Sequence, residues 1–396
     1  MSDLPTAGPA RILLTLARRD KPAAEKALAA LPPAEQLAHV CELKPTERAV
    51  LIGLAPEPEA LIAALPPAEL CFTLKAVGLA DSAWMLEHAS PDQLVAAVDL
   101  DAWRGPQLDL AVAGEWLTAL SRVSDEAKVR ALESLDAELV TLALRARIAV
   151  EQKPDDDEGW SPPEGGQTLE GRFYYVARAE NDDLADVTAL LRALFVGAYW
   201  SYFRLMQAVT WELTLETEEW ALRWRSGRLQ DLGFPVWDEA MQLYRHLAPE
   251  RRDTLPPADQ RPLDVEPWSL PVWLPQLPEL RGEGARLFRA IAELPEAARR
   301  ACFYAFVALA NHVAVADRMP LGDVESTPAA IEKAARFASL GLAHLAERHG
   351  LSDSALLERV ELHYLFRLGA NLDPEAARPP VPTEDFEGDE ASEGAD

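Results

Sequence analysis

Proline is tolerated in the first turn of a helix and breaks it further in, so a chain with proline about every ten residues is confined to short helices. Residues 31 to 70, LPPAEQLAHVCELKPTERAVLIGLAPEPEALIAALPPAEL, follow this rule: the word LPPAE occurs twice, with the variants KPTER and APEPE between. At the first helical position the missing proline N–H would have had no partner, and a glutamate in that turn complements the helix dipole. The words therefore predict helices over 34–43, 46–54, 58–65 and 68–77. Each carries Leu, Ile, Val or Ala at i, i+3 and i+4, and the pattern restarts after about eleven residues. It continues more loosely through SPDQLVAAVDLDAW (90–103) and SDEAKVRALESLDAELVTLALRARIAV (124–150). Helices this short are marginal alone and must lay their apolar faces on one another. The predicted product over residues 1–150 is a superhelical repeat, an α-solenoid.

The periodicity stops at EQKPDDDEGWSPPEGGQ, residues 151–167. A linker over 151–169 is predicted there, with its flanking Pro and Gly favouring a solvated run of carboxylates over a rigid metal cage. Residues 181–213, NDDLADVTALLRALFVGAYWSYFRLMQAVTWEL, read as one long helix. Phe195, Tyr199, Trp200, Tyr202 and Phe203 surround most of it, the pattern of a helix central to a bundle. A second helix, ETEEWALRWRSGRLQ, leads to a turn at Gly233 and Pro235 and a further helix over 236–247. A Pro-rich strap over 249–282 places Trp268, Val272, Trp273 and Leu277 where they would cover core. Helices over 284–294, 296–317, 328–349 and 353–368 follow, and residues 374–396 read as a disordered acidic tail. The predicted class is all-α: a short-helix repeat, then a helical bundle over 170–373.

Sixty-five Asp and Glu against 38 Lys and Arg give a net charge of −27, a field that repels phosphate backbones and anionic lipid. Nucleic acid is not an expected partner. Nor is membrane insertion, because the most apolar run, ALFVGAYWSYF at 193–203, is far shorter than the roughly 20 residues a span requires. Cys41, Cys71 and Cys302 are odd in number and widely spaced, so buried thiols are predicted and no disulfide-linked partner. The opening MSDLPTAGPARILLTLARRD lacks the uninterrupted apolar core of a signal peptide, and a cytoplasmic location is expected.

Seven histidines offer Glu35 with His39 and His312 near Asp317, but neither pairing completes a ligand set, and HExxH is absent. Ser226 beside Gly227 lies in a helical pattern, not on a nucleophile elbow, and no phosphate-binding glycine loop occurs. No catalytic residue, metal site or cofactor is assigned. One local anomaly remains, WALRWRSGR at 220–228, where Trp220, Arg223, Trp224, Arg225 and Arg228 form a basic-aromatic patch in an acidic chain. Such a patch can bind carboxylate, phosphate or a stacked ring. The plainer reading pairs Glu219 with Arg223, stacks Trp220 on Trp224 and leaves a solvated face. The tail word EDFEGDE, residues 384–390, has the opposite charge and is an expected ligand of the patch.

The stretch LPPAEQLAHVCELKPTERAVLIGLAPEPEALIAALPPAE resembles the cytoplasmic superhelical domain of MgtE-type magnesium transporters. That resemblance implies a stack of short helices; the pore and regulatory domains of that family have no counterpart, so it implies no magnesium transport. The words ELCFTLKAVGLADSAWMLEHASPDQLVAAVDLDAW, GRLQDLGFPVWDEAMQLYRHL and HYLFRLGANL resemble an uncharacterised bacterial family known only as a domain of unknown function. That likeness spans most of the chain and implies no site residue. The expected function is non-enzymatic: a protein-interaction or scaffold protein with protein partners. The alternative is an enzyme or small-ligand sensor with a pocket between the aromatic helix at 193–213 and the strap.

Overall fold

Proline starts the helices where the sequence places it. The computed structural model describes residues 9–156, 159–179, 182–255, 285–323 and 326–377. Its first helices are α1 Pro9–Arg19, α2 Lys21–Ala29, α3 Pro33–Glu42, α4 Pro45–Ile52, α5 Pro58–Ala64 and α6 Pro67–Val77. From α3 to α6 a proline opens each helix, and Glu35, Glu47, Glu59 and Glu69 occupy the first turns. After α7 Ala83–Leu86, α8 Pro91–Asp101 is opened by a reciprocal cap between Ser90 and Gln93. Val40, Leu51, Ile52, Ile62, Leu70 and Leu74 are fully buried where each helix packs on those one or two places along. Arg48 is buried with them, ion-paired to Glu69 at 2.5 Å and donating to the Leu43 carbonyl, which ties α4 to α6.

The chain is mostly helical, and the described residues also hold two hairpins that the helical periodicity did not show. Strands β1 Trp103–Arg104 and β2 Gln107–Leu108 precede α9 Leu110–Leu120, a helix capped by Asp109 and unmarked by any proline word. Next come α10 Asp125–Ser134 and α11 Ala137–Arg147. Strands β3 Ile148–Gln152 and β4 Phe173–Ala177 then pair antiparallel, from Ile148 opposite Ala177 to Gln152 opposite Phe173. Their alternation is period two: Ile148, Phe173 and Tyr175 are buried and their neighbours less so. The stretch read as a linker thus begins with the last two residues of β3, and Gln167 near its end bridges back to Tyr175.

The predicted helix at 181–213 is two helices, α12 Ala185–Gly197 and α13 Tyr199–Trp211, parted by Ala198, whose backbone is not helical. Glycine weakens the helix at 197, and the break lets α12 pack on α10 while α13 packs on α11. Nor is this segment covered on all sides: Val196, Tyr199, Trp200 and Trp211 are exposed. Helix α14 Thr214–Asp231 follows, then α15 Trp237–Ala240, a 3₁₀ turn over Met241–Tyr244, and α16 Pro249–Arg252. The remainder is α17 Ala285–Ala292, α18 Glu296–Ala316, α19 Ser326–His349, α20 Asp353–Leu357, α21 Leu362–Leu372 and α22 Pro374–Ala377. The single helix predicted at 236–247 is α15 and the 3₁₀ turn, and that predicted at 353–368 is α20 and α21. Helices α19 and α21 cross closely, since a Cβ on Gly341 or Gly369 would collide with the carbonyl of Leu365 or Phe337. The strap beyond 255, with Trp268, Val272, Trp273 and Leu277, and the tail beyond 377 lie outside the described residues. Residues 249–252 and 374–377, read as parts of the strap and the tail, are helical, and Ala377 is buried.

Candidate functional site

On α14, Thr217, Ala221, Arg225 and Leu229 recur every fourth residue and are buried, so this edge faces the protein. Arg225, 7% exposed, donates from Nε to the Asp99 carbonyl at 2.8 Å and from Nη1 to the Gly105 carbonyl at 3.3 Å. Its guanidinium also lies over the Trp103 ring, 5.0 Å from the centroid. Burial lowers its pKa to about 10, against the opposing pull of Asp99. Arg228 forks between two carboxylates. It contacts Asp99 at 2.6 and 2.9 Å and Asp136 at 2.6 and 3.0 Å. Burial acts against the Arg228 charge, but these hydrogen bonds outweigh it and its pKa is raised.

The partners explain the geometry. Asp99 is 1% exposed in the last turn of α8, where the helix dipole disfavours an anion, so it requires close cations. Asp101, equally hidden, accepts from Trp116 Nε1 at 2.8 Å and pairs with Lys75 at 3.0 Å. Asp136 stands at the start of α11. Arg225 and Arg228 therefore bolt α14 to α8, to α11 and to the first hairpin.

The five residues of the basic-aromatic patch are thus divided by the fold. Arg225 and Arg228 turn inward, while Trp220, Arg223 and Trp224 remain outside. Trp220 and Trp224 stack at 6.0 Å with 27° between planes, as their spacing anticipates, and Arg223 covers Trp220 at 5.1 Å. Both indoles are about half exposed. Gly227 is exposed on the same side, three residues from Trp224 and seven from Trp220, and a Cβ there would meet open space. Sequence reasoning missed the residues leading into this face: Trp211, Leu213 and Leu215 are 69%, 64% and 77% exposed. A signal for them was present. In WELTL the apolar residues recur at every second position between an acid and a threonine, a spacing that no single helix face can bury.

Cys41, Cys71 and Cys302 are free thiols, and burial raises Cys41 to about 11 and Cys302 to about 12. The rings of His312 and His363 meet edge to face at 4.5 Å. Burial lowers the pKa of both, that of His363 to about 3, so the pair is neutral at pH 7. Among the described residues, no group of three or more His, Cys, Asp or Glu is placed to hold a metal ion. No described helix is long and apolar enough to cross a membrane. A groove of about 740 Å³ runs between α6, α9 and α11, past Lys75, Gly114, Arg122 and Arg147. Its cations are engaged: Lys75 by Asp101, Arg147 by Asp182 and Asp186, and Arg122 by the Ala80 carbonyl at 2.7 Å. The pocket expected between 193–213 and the strap involves residues outside those described.

No curated protein and no solved structure matches the chain. The profile of one protein family, described as a family of unknown function (DUF6178), matches residues 25–378, a stretch that includes α3 to α22 with the whole α14 assembly. The chain belongs to that family of unknown function, DUF6178.

Proposed function

We propose that the protein is a non-enzymatic interaction or scaffold protein that docks a protein partner on the outer face of α14 and the turn before it. The observation that carries this reading is the pairing of an exposed aromatic surface with a rigid mount. Trp211, Leu213, Leu215, Trp220 and Trp224 stand in solvent, and the helix bearing three of them is held from behind by the Arg225 and Arg228 bonds. Large apolar side chains kept exposed on a fixed element lose little further entropy on binding, and tryptophan dominates many interface energies. The short helices α1 to α8 are read as a superhelical repeat, which would add a second extended contact surface. Three free cysteines, one buried and two partly so, fit a reducing, cytoplasmic setting.

The test compares the full chain with Trp211→Ser/Trp220→Ser/Trp224→Ser in affinity purification from native cells. A stoichiometric protein captured by the parent and lost by the variant, with both melting alike, is the expected result. The same set of proteins on both baits would refute a docking role for this face.

A further inference from the structure

The word WALRWRSGR looks basic, and as a linear peptide it would attract an acidic partner. Folding reverses that polarity. Arg225 and Arg228 spend their donors on Asp99, Asp136 and the Gly105 carbonyl, so neither charge is offered to a ligand. Along the side of α14 opposite Thr217, Ala221 and Arg225 run Glu216, Glu219, Arg223 and Gln230, all exposed, with Trp220, Trp224 and Gly227 beside them. Glu212 and Glu218 are exposed at the same end. The outer side of α14 thus sets Glu216 and Glu219 against the one guanidinium of Arg223, which already lies on Trp220, while Arg145 at the turn is engaged by the Ala208, Val209 and Glu212 carbonyls.

From this we infer that the partner docking here presents cationic side chains among apolar ones, as a Lys- or Arg-bearing amphipathic segment does; the inference rests on the docking role proposed above. A second copy of the chain would bring like charge to like charge, and so would a nucleic acid or an anionic membrane. A wholly apolar partner would bury Glu216 and Glu219 without a counter-charge, which is costly. A cationic amphipathic segment meets each group with its complement. Its ammonium or guanidinium groups pair with Glu216 and Glu219 and approach the indole faces of Trp220 and Trp224, while its apolar residues cover Trp211, Leu213 and Leu215. The acidic tail is by the same argument a poor ligand of this face.

The probe is a helical peptide of leucine and lysine, with the same peptide carrying glutamate for lysine as its counterpart, each titrated into the full chain by calorimetry at low and at physiological salt. The lysine peptide is expected to bind at least about ten-fold tighter than the glutamate peptide and to weaken with salt. Glu216→Lys/Glu219→Lys should weaken it about ten-fold, and Gly227→Trp, which enters open space, should weaken it as much by obstruction. Glu57→Lys/Glu59→Lys, two exposed positions at the start of α5, makes the same change in net charge as a control and should have much less effect. Equal losses from the two reversals would mean a general response to the acidic chain and would overturn the proposal. Obstruction by Gly227→Trp without any effect of Glu216→Lys/Glu219→Lys would overturn the cationic partner while leaving the docking face standing. Indifference to Gly227→Trp would remove the face itself.

Discussion

Two stretches of the chain dispose of their large apolar residues in opposite ways. Between Pro33 and Val77 the Leu, Ile and Val side chains are buried or half-buried except Val50. Between Val196 and Trp224, by contrast, Val196, Tyr199, Trp200, Trp211, Leu213, Leu215, Trp220 and Trp224 are all exposed. The first stretch holds together mainly by the hydrophobic effect, helped by the buried Arg48–Glu69 pair. In the second, α14 is secured largely by hidden charge pairs, and apolar surface is left over. A segment that does not use its tryptophans for its own stability has them available for something else.

The comparison can be broken most directly at Arg228. Replacing it by alanine leaves Asp99 and Asp136 without their shared cation, and a loss of about 3–5 kcal/mol is expected from urea unfolding. A loss under about 1 kcal/mol would show that α14 is held by packing after all.

Next in size is the apolar contrast. Leu51→Ala, at a fully buried site, should cost about 3 kcal/mol by the same measurement. Trp211→Ser, although it removes a larger side chain, should change stability by no more than about 0.5 kcal/mol. Similar losses at the two sites would erase the distinction.

Helices α18 and α21 hide polarity in a third way, by keeping it uncharged. Burial holds His363 at about 3, below the ordinary 6.5 that its unfolded form regains, and His312 is lowered too. The unfolded chain therefore takes up protons that the folded chain refuses. This contribution is intact above about pH 6.5 and is lost as the pH falls toward 3, with a slope of about 1 kcal/mol per pH unit for His363. Denaturant midpoints measured from pH 7 to pH 4 should show the decline, and His363→Phe should flatten it.

The smallest effect separates the two sides of α14. Gly227→Ala adds a methyl group in open space to a helical position, and a gain of about 0.5–1 kcal/mol is expected in thermal or urea unfolding. A loss would mean that the outer side is packed against something and is not free.

The short helices were legible in the sequence because their signals are local. Proline at the first position and glutamate in the first turn act within one turn of the chain, and α3 to α6 each begin one residue before the predicted start or on it. Helix α9 has no such word, only the Asp109 cap, and was missed. The β3–β4 hairpin was hidden because IAVEQ and FYYVA are short, lie apart in the chain, and become strands only by pairing with each other. The split at Ala198 depends on two packing surfaces, α10 and α11, that no window of sequence contains.

By itself, the sequence determined the predominance of helix, the starts of helices α3 to α6 and the field of an acidic chain, because these follow from local backbone chemistry and from summed charge. The five-residue patch was also found there, but only the tertiary structure decided what it is. Arg223, Arg225 and Arg228 are alike in chemistry and close in sequence, and what separates them is the direction each side chain takes from α14. Two meet Asp99, more than a hundred residues away along the chain, and the third meets an indole one turn back. Long-range pairing of buried charges is a property of the folded chain alone, since it requires the low-dielectric contact that folding creates.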